Sequence, residues 1–88
     1  MIRQELLVSN PKGIHVRPSG MLLAASQKYK SKIVLQKGDM EADCSEIIMI
    51  LSLGAQQGDT LTLIVEGPDE EAAAKDIVEI FAMNFMDT

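Results

Sequence analysis

The sequence predicts an α+β open-faced sandwich: a four-stranded antiparallel sheet with three helices on one face, in the order β-α-β-β-α-β-α. Three observations predict it. Short strand-like stretches recur at residues 2–8, 32–37 and 60–66. Between them the apolar spacing changes to that of a helix. The turn Gly38-Asp39 closes a hairpin, which favours antiparallel neighbours over a parallel sheet. The 88 residues suffice for a single domain, 1–88, built on one small core.

In the first strand Ile2, Gln4, Leu6 and Val8 share one side, and Arg3, Glu5, Leu7 and Ser9 the other. Asn10-Pro11-Lys12-Gly13 has the chemistry of a loop. From Val16 to about Tyr29 the spacing is helical, with Pro18, Leu22, Ala25 and Tyr29 on one face. Pro18 is tolerated only in a first turn, where its missing N–H has no intrahelical partner. The helix therefore begins near Val16, and His15 stands at or next to its N-cap.

Lys32 to Lys37 is the second strand, with Ile33 and Leu35 facing inward, and Met40 to Ala42 returns beside it. Glu46 to Ser52 is too densely apolar to alternate as a strand. A short helix is predicted there, with Ser45 as N-cap and Gly54 as its stop. Leu61, Leu63 and Val65 alternate with Thr60, Thr62, Ile64 and Glu66 in the last strand. Pro68-Asp69-Glu70-Glu71 opens the last helix, with Asp69 as its cap. Its buried stripe is Ala74, Ile77, Val78, Phe81 and Phe85, and Lys75 is placed to pair with Glu71 and Glu79 on the wet side.

Composition narrows the function. Thirteen acidic residues against 8 basic ones give a net charge of −5, which argues against nucleic acid as a partner. Tyr29, Phe81 and Phe85 are the only aromatic residues, too few for a base-stacking platform. No apolar run has the length of a membrane span, so no membrane insertion is expected. MIRQELLV does not read as a signal peptide. Cys44 is the only cysteine, so an internal disulfide is impossible, and a reduced, cytoplasmic setting is predicted. With one His and one Cys far apart, no metal site is indicated, nor any cofactor; no hydrolase nucleophile elbow is present either.

His15 is the only histidine. If the helix starts at Val16, the N–H groups of Val16 and Arg17 point out of it without partners. With the helix dipole they make an anion site. Arg17 adds a forked cation suited to phosphate oxygens. A neutral ring nitrogen beside such a cradle is what a phosphoryl acceptor needs. Local chemistry leaves two readings standing: a phosphoryl acceptor, or a polar residue at a helix cap.

Gly13-Ile14-His15-Val16-Arg17-Pro18-Ser19 resembles the active-site motif of the HPr family, the histidine-containing phosphocarriers of the bacterial sugar phosphotransferase system. Ser52-Leu53-Gly54 with Gln57-Gly58-Asp59 is similar to a second family signature, and Glu66 to Ala73 is similar to the family's approach to its last helix. The resemblance covers essentially the whole chain and implies an HPr-like fold. It implies that His15 is phosphorylated on Nδ1 by Enzyme I, which draws the group from phosphoenolpyruvate. Arg17 pairs with the group, which then passes to Enzyme II A domains in sugar uptake. The chain would be a monomeric relay intermediate, not an enzyme.

The resemblance also implies a docking patch of Val16, Gly20, Ile47, Ile48 and Leu51. Five large apolar residues in succession, Ile47 to Leu51, cannot all be buried by one short helix. At the family's regulatory serine this chain has Glu46, with Ser45 one place earlier. Efficient modification by the family's serine kinase is therefore not expected. The alternative to sugar uptake is a nitrogen-branch or regulatory adaptor that signals by docking to target proteins.

Overall fold

The computed structural model describes residues 1–87. Eight elements follow in order: β1 (Ile2–Leu7), α1 (Val16–Ser26), β2 (Lys32–Lys37), β3 (Met40–Asp43), α2 (Ile47–Ser52), β4 (Thr60–Glu66), α3 (Glu70–Ala82) and a last short turn of helix, α4 (Asn84–Asp87). The strands form one sheet in the order β1-β4-β2-β3, antiparallel at every pairing.

Register places the alternating apolar residues on one face. Leu6 lies opposite Leu61, Leu35 opposite Leu63 and Ile33 opposite Val65. All six are buried, with Ala42 from β3, beneath Leu22 and Ala25 of α1, Ile50 of α2, and Ala73, Ala74, Ile77 and Phe81 of α3. The other face of the sheet carries Arg3, Glu5, Lys32 and Glu41, all exposed. Burying one face and wetting the other is what the two-residue alternation dictates.

Several local expectations are corrected. α1 ends at Ser26, short of Tyr29, because the chain tightens into turns there: the N–H of Lys28 bonds the Ala25 carbonyl and that of Tyr29 the Ser26 carbonyl. Tyr29 still packs against the core. Phe85 is buried as expected but does not lie on α3. The helix stops at Ala82, and Asn84 and Phe85 adopt φ of 51° and 52°, a costly conformation for a bulky side chain. That turn brings Phe85 edge-on to Phe81, with ring centroids 4.9 Å apart.

Ser45 does not cap α2. Its N–H and hydroxyl both bond the Asp43 carboxylate, at 2.9 and 2.8 Å, and Glu46 takes the N-cap position. Asp69 occupies the N-cap of α3, but its carboxylate reaches across to the segment before β2, accepting bonds from the N–H groups of Lys30 and Ser31 and from the Ser31 hydroxyl. Among the described residues the ion pairs join different parts of the chain, Lys28 to Asp76, Lys37 to Asp59 and the N-terminal amine to Glu70; none of them joins Lys75 to Glu71 or Glu79.

Cys44 follows β3 and is fully buried. Burial, with the nearby Asp43 charge, pushes its thiol up to about 12.

Candidate functional site

The loop before α1 is held from inside. Asn10 is fully buried; its side-chain oxygen accepts the N–H of Lys12 at 3.0 Å, and its carbonyl accepts that of Gly13 at 2.8 Å. Gly13 has φ of 67°, and a Cβ there would lie 2.3 Å from the Ala55 carbonyl oxygen, so only glycine fits. The N–H of Ile14 bonds that same oxygen at 3.0 Å. The chain thus meets the loop after α2 backbone to backbone, two residues before the histidine.

His15 takes the N-cap position of α1 in an extended conformation. Its carbonyl accepts the Ser19 N–H at 3.0 Å and the Ser19 hydroxyl at 2.7 Å, which fixes the first turn. Pro18 and Ser19 are buried beneath it. No side chain caps the helix, and its first turn holds no acidic residue. With proline third in the helix and the Ser19 N–H bonded within it, the N–H groups of Val16 and Arg17 remain for an anion. Arg17 is exposed and forms no ion pair among the described residues.

The imidazole is partly exposed, with Nδ1 3.3 Å from the Gly13 carbonyl oxygen. A proton on Nδ1 would make this a hydrogen bond and leave Nε2 as the bare nitrogen. An attack through Nδ1 needs the other tautomer, and then two lone pairs face each other. The place of the Gly13 carbonyl therefore bears on which ring nitrogen is bare and on how the ring stands.

α1 and α2 pack together, which sets the two halves of the expected docking patch on adjoining helices. Val16 is 66% exposed and Ile48 71%, so neither is spent on the core. Ile47, Leu51 and Gly20 are half-buried, and a Cβ at Gly20 would meet nothing within 4 Å. Ile50 alone of the five is fully buried; Met49 is exposed. Arg17 is the single charged residue in the two helices. Glu46 and Ser45 are exposed at the start of α2.

Asn10, Ser19 and Ala55 support the site and were not singled out from the sequence. Asn10 and Ser19 are polar residues that become wholly buried, and the sequence signal for each is weak. Ala55 acts only through its backbone and leaves no signal beyond the flanking Gly54 and Gly58.

The family described as PTS HPr component phosphorylation site matches residues 2–83. The phosphocarrier protein HPr of Treponema pallidum is 33% identical over 85 residues, covering 97% of each chain. The phosphoryl donor subunit DhaM of the PEP-dependent dihydroxyacetone kinase of Providencia stuartii is 32% identical over 92% of this chain, which spans 17% of that longer protein. Among solved structures, HPr-C-His from Thermoanaerobacter tengcongensis superposes with a TM-score of 0.94 at 31% identity, covering 100% of this chain and 99% of the other.

Proposed function

The chain belongs to the HPr family, the phosphocarriers of the phosphotransferase system, and on that premise we propose that His15 accepts a phosphoryl group from phospho-Enzyme I and hands it to Enzyme II A domains in sugar uptake. The observation that carries this reading is the uncapped start of α1 beside the only histidine. The His15 nitrogen attacks phosphorus as the bond to the donor breaks. The group leaves the donor, is then held on His15 as phosphohistidine, and is stabilised by the N–H groups of Val16 and Arg17 and by the Arg17 guanidinium. Because the acceptor nitrogen is also the later leaving group, the transfer reverses toward the next carrier.

Val16, Gly20, Ile47, Ile48 and Leu51 form the face on which donor and acceptor dock in turn. The chain acts as one domain and a monomer, in the cytoplasm, without catalytic turnover of its own. Glu46 takes the place of a regulatory serine, and Ser45, bonded to Asp43, is a poor substrate for the family's serine kinase.

The similarity to the DhaM subunit favours a second destination, a phosphoryl acceptor outside sugar uptake. Labelling decides the shared step. With phosphoenolpyruvate and Enzyme I the chain gains one acid-labile, alkali-stable phosphate, and His15→Ala gains none. A labelled His15→Ala variant would refute the assignment. Adding Enzyme II A domains, or a dihydroxyacetone kinase, to the labelled chain then distinguishes the destinations.

A further inference from the structure

The loop from Leu53 to Asp59 contributes no side chain to the transfer, yet Ala55 within it carries the backbone on which Gly13 and Ile14 rest. What holds Ala55 in place lies on the far side of the loop. Lys37, the last residue of β2, places its ammonium 3.4 Å from the Leu53 carbonyl oxygen, 3.1 Å from that of Gly54 and 3.2 Å from the Asp59 carboxylate. The same carboxylate oxygen accepts the Gln56 N–H at 2.8 Å. The carboxylate is held below its ordinary value, first by that backbone bond and then by Lys37. One ammonium and one carboxylate thus grip Ala55 from both sides, through residues 53 and 54 before it and residue 56 after it.

The grip also answers a need of α2. Its last turn has no basic residue, so its C-terminal carbonyls lack a cation from their own helix. Lys37 supplies one from a strand. Asp59 is in turn fixed to β1's extension, where the Val8 N–H bonds the Asp59 carbonyl at 2.9 Å and the Gly58 N–H the Val8 carbonyl at 2.8 Å.

We propose that Lys37 and Asp59 are positioning residues for phosphoryl transfer: they set the Ala55 carbonyl, and through Gly13 and Ile14 the orientation of the His15 ring. This rests on His15 being the acceptor. The path is short and made of backbone, so a shift at Ala55 passes directly to the residue whose carbonyl faces Nδ1. A displacement of the ring by about 1 Å is enough to slow such a transfer about 100-fold.

The test is single-turnover phosphorylation by labelled Enzyme I, with Enzyme I varied to saturation. Lys37→Met keeps the aliphatic stem and removes the cation. The maximal rate is expected to fall about 10- to 100-fold, with half-saturation changed far less, because Lys37 bonds the end of α2 and lies outside the face of Val16, Gly20, Ile47, Ile48 and Leu51. Lys37→Arg restores most of the rate. Asp59→Asn, which can still accept the Gln56 N–H, gives a smaller fall in the same direction and serves if Lys37→Met does not fold at the assay temperature. A maximal rate within twofold of wild type in the folded variants, or a loss that Lys37→Arg does not recover, overturns the proposal. A wild-type chain that takes no label on His15 would instead defeat the acceptor assignment itself.

Discussion

The starts of α1 and α3 pose the same physical problem and solve it in opposite ways. Each is the positive end of a helix with unpaired N–H groups. At α3 the chain supplies negative charge: Glu70 and Glu71 stand in the first turn, Glu70 accepts the Gly67 N–H at 3.2 Å and pairs with the N-terminal amine at 2.9 Å, and Asp69 gathers Lys30 and Ser31. At α1 the first turn holds no acid, and the His15 side chain does not bond the N–H groups of its own helix. Thirteen acidic residues were available to the chain, and none is placed there. A filled helix start ties the fold together, and an open one beside a histidine is what the proposed transfer of an anionic group requires.

Reversing the contrast at α1 gives the largest effect. Arg17→Glu supplies the carboxylate that α3 has, while Arg17 itself is exposed and in no ion pair among the described residues. The rate of phosphorylation by Enzyme I should fall about 100-fold or more, with the melting temperature nearly unchanged. A rate within a fewfold of wild type would show that the open start contributes little to transfer.

Next in size is a charge on the surface beside that start. Ile48→Asp, at a residue 71% exposed, should raise the Enzyme I concentration for half-maximal transfer by about tenfold and leave the maximal rate and the melting curve alone. Unchanged half-saturation would remove Ile48 from the docking face.

The smallest effect on transfer belongs to α3. Asp69→Asn weakens bonds to Lys30 and Ser31 and should lower the melting temperature by a few degrees with no change in phosphorylation rate. The Ser31 hydroxyl first, then the Lys30 N–H, hold the Asp69 carboxylate below its ordinary value of 3.8. The stability it contributes is therefore complete above 3.8 and is lost as pH falls through the lower folded value. Thermal melts across pH 2 to 6 should show an acid-side decline that is shallower in Asp69→Asn, and an identical decline in both proteins would deny the carboxylate this role.

Much of this was legible in the sequence because it depends on neighbours along the chain. Alternation set the faces of β2 and β4, and Pro18 alone set the start of α1 and so the place of His15. What escaped depends on partners that the spacing does not reveal. A serine or aspartate next to a helix reads as a cap, yet Ser45 bonds back to Asp43, and Asp69 reaches Ser31, 38 residues away. Phe85 fits a helical stripe by spacing, but its burial is achieved through a left-handed turn. Lys37 reads as a strand-end lysine, and its bonds to the Leu53 and Gly54 carbonyls appear only where the end of α2 and the loop after it come within reach.

Cys44 gives the chain an internal clock. Its thiol lies at the junction of β3 and α2, wholly out of water and strongly disinclined to ionise. A thiol reagent can meet it only when that junction parts from the sheet. With no second thiol in the chain, the trapping rate reports one event, the breathing of the segment that carries α2. Binding a partner to α2 would slow that clock, so occupancy of the proposed docking face is timed by the native thiol, with no substitution in either protein.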